Sequence, residues 1–524
     1  MARSKHGTPV RGMDSVAHSS VRDQRFGRMF RNLPAAAFTE DALTDLAKTM
    51  FQGEFAEKIE EGKPVDVALN EREPEDENPT IPAGFTYFGQ FLDHDITFDP
   101  VSSLDRFNDP DALQDFRTPR LDLDSVYGSG PADQPFLYED DELHLLLGED
   151  KDFDGTRKKR PDLPRNSAPI RRALLGDKRN DENVIVSQLH ATFLRFHNKV
   201  VDTLRSRDFE LCQQTVRWHY QWIVLHDFLP RIIGRETYER VIVGRGEKPN
   251  IRFYNPQGRY AFIPVEFSVA AYRYGHSMVR PSYSLNRIVT KPRPVEQPFN
   301  GKTATFNRIP IFSLLEGEPL ANLNGFRELP GFWPIDWAFF FDGIAPDGEP
   351  PAGAVLPQPS YKLDTTLVDP LTSLPDHRHE PIKIRRALAA LNLLRGWRLG
   401  LPSGQAVARH MEMEALSDEQ LFDSEDANRK RARAALLTNH PGIFKGNAPL
   451  WFYILREAEI FGNSQNLGPV GGTIVAEVLA GLIREDRHSF LAQWPKWRPT
   501  LQSAEPGHFT MADLINFTNG SGAV

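Results

Sequence analysis

Cysteine is nearly missing from this chain: Cys212 is the one thiol in 524 residues. A single thiol closes no internal disulfide and builds no Cys-based zinc or iron–sulfur site within one chain. Long apolar runs are missing as well. No window approaches the roughly 20 apolar residues of a membrane span. Residues 1–22 lack the run of roughly 7–15 apolar residues that a secretory signal needs, so a cytoplasmic chain, or one secreted without a cleaved signal, is expected. Positive charge is not in excess: 62 bases against 71 acids leave −9, which gives no electrostatic footprint for nucleic acid. What is left is a soluble composition, 40 % hydrophobic and 25 % charged. Its chemistry must come from His, carboxylates, Arg, Ser, Lys or a bound cofactor.

Proline and histidine are plentiful, with 41 and 15 copies. The length allows about three domains at roughly 150 residues each. However, no repeat and no polar linker divides the chain. One large, mainly helical domain over 23–510 is expected, after an extended arm (1–22) and before a C-terminal tail (511–524). Apolar residues recur at helical spacing over 41–60, 183–206, 209–234, 383–399, 405–415, 428–437 and 469–484. An acidic loop is expected over 62–82, and Pro-rich connectors over 281–311 and 343–382. Strand content looks slight, with short pairs near 241–264.

Four segments stand out. In residues 85–100 a helix would bring Gln90, Asp93 and His94 within an arc of roughly 100°, with Asp95 pointing away. The Asp-His-Asp triplet equally suggests a metal site, and a satisfied histidine is the bland alternative. In 174–198, Arg179 and Glu182 are three apart and share a face as the long helix begins. Asp177, Asp181 and Glu182 also simply suit the positive end of a helix dipole. His190 and His197 sit in apolar runs and read as core or hydrogen-bonded histidines. In 269–281, His276 follows two tyrosines, an arginine and a glycine. In 385–404, Asn392 interrupts an apolar helix and invites a specific partner, because an unpaired buried amide is costly.

The order of these segments resembles the animal-type haem peroxidases of the peroxidase–cyclooxygenase superfamily, in their bacterial branch. Carrying the resemblance are Gly89–Asp95 (GQFLDHD), Thr118–Gly128 (TPRLDLDSVYG), Gly176–Glu182 (GDKRNDE), Leu189–Asn198 (LHATFLRFHN), Asp227–Gly234 (DFLPRIIG), Tyr272–His276 (YRYGH), Asn392 with Arg395, and Gly400–Pro402. Leu450–Ser489 also looks like the bacterial members. The resemblance implies a mainly α, single-domain fold with long loops. It also implies haem b and a peroxidase that reduces hydrogen peroxide via a ferryl intermediate and oxidises small organic donors or (pseudo)halide anions.

Matched motif by motif, His94 is the distal acid–base residue, Arg179 the distal arginine, and Gln90 the holder of distal water or a small anion. His276 is the proximal iron ligand, with Asn392 accepting a hydrogen bond from its other nitrogen. Arg273 and Arg395 face the propionates. Asp93 and Glu182 match two carboxylates that form haem esters in mammalian members, so covalent haem is expected. Asn183 stands where one mammalian member has a methionine linked to a haem vinyl, so a third link is not expected. Calcium is implied at Asp95, Thr118, Asp122 and Asp124 with the backbone of Arg120, alternate residues of an extended loop projecting oxygens to one side. A monomer is expected, its partners being hydrogen peroxide and a small reducing substrate.

Two other functions are open to this resemblance. A fatty-acid dioxygenase or cyclooxygenase-like oxygenase needs a radical tyrosine, which in cyclooxygenases lies three residues before the proximal histidine. Here Arg273 holds that position, between Tyr272 and Tyr274. A non-catalytic peroxidase-fold adhesion protein would lack His94, Arg179 or His276, and all three are present.

Overall fold

The structure is a computed structural model that describes residues 26–51, 76–97, 118–151, 160–243, 248–256, 261–289, 308–312, 322–350, 354–377 and 380–520. The expected arm 1–22 lies outside the described residues. So do 52–60 of the first expected helix, 62–75 of the acidic loop and most of the connector 290–307.

Helices dominate, and the longest mark the centre. Eight are used below: α1 (Glu40–Lys48), α2 (Gly84–Ile96), α3 (Val184–Leu204), α4 (Phe209–Ile223), α5 (Leu388–Arg398), α6 (Leu450–Phe461), α7 (Pro469–Glu485) and α8 (Met511–Asn519). Helix α2 has only Thr86 and Gln90 less than fully buried, and in α7 every residue from Val470 to Ile483 is buried. A helix buried on all sides belongs in the middle of a large core. Around these, α2 packs on α3, α3 on α4 and α8, α6 on α7 and α5, and α1 on α5. No helix among the described residues is long and apolar enough to cross a membrane.

Local chemistry sets the helix ends. The Asn183 side chain accepts from the Ile185 N–H and starts α3, which stops at Arg205 in the left-handed region with φ 50°. Helix α7 begins with Pro469 in its first turn after Gly468. Over 209–234 the expected single helix is instead α4, a wide π turn at Val224–Phe228, and a short helix Leu229–Ile233. Pro230 explains the break, since it donates no N–H to the preceding turn.

Strands among the described residues form three small pairings. Phe26–Gly27 runs parallel to Ile263–Pro264, Glu77–Pro82 antiparallel to Pro359–Tyr361, and Ser282–Tyr283 antiparallel to Ile309–Pro310. Two expectations change here. The end of the acidic loop is a strand, and its prolines fit where the register shifts between Asn78 and Pro82. The short pair expected near 241–264 is not local. Ile263–Pro264 takes its partner from the chain's beginning, while Glu239–Val243 is a wide helical turn.

The segment expected as a tail also differs. Its first part is α8, with buried Met511, Leu514, Ile515 and Phe517. Phe517 meets Phe196 of α3 edge-on, and the Met511 N–H donates to Asp227 at 2.8 Å. Thr510 and Asp513 form a capping box at its start, and this apolar face is what draws the helix into the core.

Candidate active site

Helix α2 distributes its polar residues in three directions. Gln90 and His94, one turn apart, turn toward a short 3₁₀ turn, Lys178–Asp181, that precedes α3. Gln90 Nε2 donates to Glu182 Oε1 at 2.5 Å, and the same carboxylate oxygen lies 3.5 Å from His94 Nε2. Asp93 turns toward Arg273, at 3.7 Å. Asp95 turns away toward residues 122–125. The separation of Asp95 from the other three follows directly from helix geometry.

The turn carrying Arg179 is tightly placed. Asp177 caps it, accepting from the Arg179 N–H at 2.8 Å. Three residues per turn put Arg179 and Glu182 on one side, so their shared face arises from the 3₁₀ turn rather than from α3, which starts later at Val184. The Arg179 guanidinium lies on the carbonyls of His94 (3.1 Å) and Thr97 and pairs with Asp177 at 2.8 Å. Asp181 is drawn away by a two-pronged pair with Arg165, at 2.7 and 2.8 Å. Two glycines let neighbouring chain press against this turn. A Cβ on Gly176 would stand 2.5 Å from the Ser125 carbonyl oxygen, and one on Gly325 would collide with that of Asp181.

Asp93 illustrates the electrostatics. Burial opposes its ionisation, but Arg273, Arg179 and His94, with the Thr97 hydroxyl, outweigh this and hold its pKa below the usual carboxylate value.

The 3₁₀ segment Ala271–His276 also packs on α2, where the Tyr272 hydroxyl donates to the Gly89 carbonyl at 3.2 Å. The Asn392 amide, on α5, meets His276 Nδ1 at 2.8 Å, and the Trp451 ring stands edge-on to the imidazole. The two residues expected to pair are therefore in contact, but the amide nitrogen, not the expected accepting oxygen, faces Nδ1. Rotating the amide by 180° sets its oxygen against Nδ1 at the same place, which leaves the Nε2 lone pair available. Burial, and after it the Arg273 cation, push the His276 pKa down to about 3. The ring is neutral at physiological pH, as a metal ligand must be. A Cβ on Gly275 would meet nothing within 4 Å, so open space lies beside this histidine. A neutral, oriented imidazole facing room, with arginines nearby, fits a haem. Arg273 donates its Nε–H to the Ser268 carbonyl at 2.8 Å, and Arg395 sits one turn beyond Asn392 on α5, half-buried.

The oxygens of Asp95, Asp122 and Asp124 lie within 4.8 Å of one another. Thr118 Oγ1 donates to Asp122 Oδ2 at 2.9 Å, and the Arg120 N–H to the Thr118 carbonyl at 2.7 Å. Asp95 is fully buried and is further held by the Leu123 N–H, the Ser125 hydroxyl and the Tyr220 hydroxyl. The carboxylates converge as expected, but not by the alternation of an extended loop. Leu123 adopts φ 59° and a short helix starts at Asp124. A left-handed leucine costs free energy, and it is what turns Asp122 and Asp124 to one side. Three carboxylates around one point suit a hard divalent cation.

The remaining histidines of α3 behave structurally. His197 bonds Tyr127 and the Leu143 carbonyl. His190, however, joins the site through a residue the sequence did not single out: Asn180 lies between His94 Nδ1 (2.8 Å) and His190 Nδ1 (2.9 Å). Its one signal was its position inside GDKRNDE. The direction of its amide depends on the turn, which periodicity does not foretell.

Residues 109–323 match the animal haem peroxidase family. Dog thyroid peroxidase is 29 % identical over 183 residues, 31 % of this chain and 19 % of its own length. Fruit-fly peroxidasin is 23 % identical over 321 residues, 60 % of this chain and 18 % of its own. These matches thus span about a fifth of each relative. Among solved structures, peroxidase A of Dictyostelium discoideum superposes with a TM-score of 0.59 at 15 % identity, covering 95 % of this chain and 94 % of that one. The fatty acid alpha-dioxygenase of Arabidopsis thaliana gives 0.55 at 15 % identity, covering 95 % and 76 %. Residues 109–323 thus carry the match to the animal haem peroxidases, and the chain shares the mainly helical fold of these solved structures.

Proposed function

We propose that this protein is a haem-dependent peroxidase that reduces hydrogen peroxide and oxidises a small organic donor or a (pseudo)halide anion. The observation that carries the reading is that α2 meets two histidine sites. Gln90, His94 and Glu182 gather at it, and the segment of His276, a ring fixed by Asn392 beside open space, packs on it through Tyr272 on Gly89 and Arg273 on Asp93.

His276 would hold the iron through Nε2, Arg273 and Arg395 would meet the propionates, and Asp93 and Glu182 are the carboxylates available for ester bonds. Bound haem would supply the iron centre at which the peroxide O–O bond is cleaved and the two oxidising equivalents are held. The protein's own work is then proton management. His94 accepts a proton from one peroxide oxygen at Nε2 and returns it to the other, which leaves as water. Arg179 adds a permanent positive charge at the end of α2, opposing charge build-up on the leaving oxygen. Gln90 places an amide donor in the same space. Calcium at Asp95, Thr118, Asp122, Asp124 and the Arg120 backbone would brace the end of α2 beside His94.

Arg273 is engaged by Asp93 and Ser268 at the position where a cyclooxygenase would need its tyrosine, which favours the peroxidase over the oxygenase. The test is haem supplementation followed by stopped-flow mixing with peroxide, then iodide, bromide, thiocyanate or a phenol. Expected are a Soret band, rapid peroxide consumption and oxidation of at least one donor. His94→Ala should slow the peroxide step by about 10²-fold or more. Failure to develop a Soret band, or oxygen uptake with a fatty acid and no donor oxidation, overturns the reading. Haem that resists extraction by acidified organic solvent is expected if the esters form.

A further inference from the structure

We infer that Asn180 is the positioning residue for His94: its amide oxygen keeps the imidazole proton on Nδ1, so that Nε2 is the atom that exchanges protons with substrate. Asn180 is fully buried, with 0 % of its surface exposed. Its Oδ1 lies 2.8 Å from His94 Nδ1 and its Nδ2 lies 2.9 Å from His190 Nδ1. An amide oxygen only accepts and an amide nitrogen only donates. In this arrangement His94 donates from Nδ1, and His190 accepts at Nδ1 and carries its proton on Nε2. Two histidines from different helices thus hold one amide, and the amide in turn sets the tautomer of the one that faces the cavity.

The surroundings of His94 favour this orientation. Gln90 and Asp93 approach from its own helix, and Arg179, Asn180 and Glu182 from the 3₁₀ turn. Glu182 Oε1 is the group opposite Nε2, at 3.5 Å. A proton arriving at Nε2 therefore meets a carboxylate, while the Nδ1 proton already has the Asn180 oxygen. With the amide reversed, its N–H groups would face Nδ1, and a ring that took up a proton would set N–H against N–H. The buried position matters as well: a polar group there without its partner costs free energy, so the three-residue arrangement is held as a unit. The tautomer assignment stands on these contacts alone. Its role in proton transfer to peroxide rests on the peroxidase reading above.

The test is ¹⁵N NMR of histidine-labelled protein without haem, with His94 assigned by His94→Gln. Wild type and Asn180→Asp, which keeps the acceptor, should show His94 protonated at Nδ1. Asn180→Ala should lose that preference. If Asn180→Ala does not fold, His190→Phe, which removes the acceptor that orients the amide, should give mixed tautomers. His94 protonated at Nε2 in wild type, or an unchanged Nδ1 tautomer in Asn180→Ala, overturns the inference. In haem-loaded protein, Asn180→Ala should slow the peroxide step by about 10- to 100-fold, with recovery in Asn180→Asp and no change in haem affinity. The inferred tautomer in a wild-type protein that ignores peroxide would overturn the peroxidase reading and leave the Asn180 assignment standing.

Discussion

At His276 burial and the Arg273 cation act in the same direction, keeping the ring neutral, and the Asn392 amide fixes which way it faces. A partner behind a ligating histidine commonly affects metal affinity by about 10- to 100-fold. Asn392→Leu is therefore expected to weaken haem retention by about that factor without unfolding the chain, measured by haem transfer to an acceptor protein. His276→Ala should abolish the Soret band. Gly176 offers a packing test at the same scale. Its Cβ position stands 2.5 Å from the Ser125 carbonyl and 2.6 Å from that of Asp124, backbone atoms that cannot swing aside. Gly176→Ala should cost about 1–3 kcal/mol, seen in urea unfolding, and should displace the neighbouring Asp177–Arg179 turn. Of the site residues, those on α2 were legible because a single helix fixes their relative directions. Asn180 was not, since a 3₁₀ turn ahead of α3 points it where only packing decides.

Helix α2 has no side-chain cap at Ala83. Its far end instead meets the carboxylate cluster through Asp95 and the Arg179 guanidinium through the carbonyls of His94 and Thr97. Rigorous chelation should lower the thermal midpoint, and Asp124→Asn should lower it similarly while removing the response to added calcium. An unchanged midpoint after chelation would count against the cation. Helix α7 supplies a second test. Its first N–H groups, of Val470 and Gly471, are received by Glu457 of α6. Burial nonetheless pushes the Glu457 pKa up to about 7, against those hydrogen bonds. The unfolded chain releases this proton near the usual glutamate value, so it binds fewer protons than the folded chain between about pH 4.5 and 7. Stability from this group is full below that window and falls as pH rises through it. Glu457→Gln should therefore raise the melting temperature at pH 8 relative to wild type and change it little at pH 4.5.

Across the whole molecule, buried histidines oppose Glu457. His197, His219 and His226 all have pKa values lowered to about 4, in each case first by burial. His219 accepts the Thr500 and Leu501 N–H groups at Nε2 and is hydrogen-bonded to the Thr215 carbonyl through Nδ1, tying the C-terminal segment to α4. A depressed histidine pKa gives stability that is full above about pH 6.5 and lost as pH falls toward 4. Three such groups imply a slope approaching about 4 kcal/mol per pH unit in the middle of that window. Denaturant melts between pH 7 and 4 should show this steep loss, and His219→Gln should flatten it.

The long helices and the slight strand content were legible because apolar spacing is a local property of the chain. Phe196, Phe509 and Phe517 pack together although they lie far apart in sequence, so the segment expected as a tail became a core helix. Likewise, Ile263–Pro264 found its strand partner at Phe26–Gly27. The sequence by itself determined which side chains are able to do chemistry: one cysteine with no partner, histidines and carboxylates at helical spacing, and motifs that resemble those of animal haem peroxidases. Only the tertiary structure decided how they are aimed. Leu123 in a left-handed turn gathers the aspartates, the turn Lys178–Asp181 sets Asn180 between two histidines, and Arg273 closes on Asp93. These directions depend on backbone turns and on the packing of segments distant in sequence, and no local periodicity encodes either.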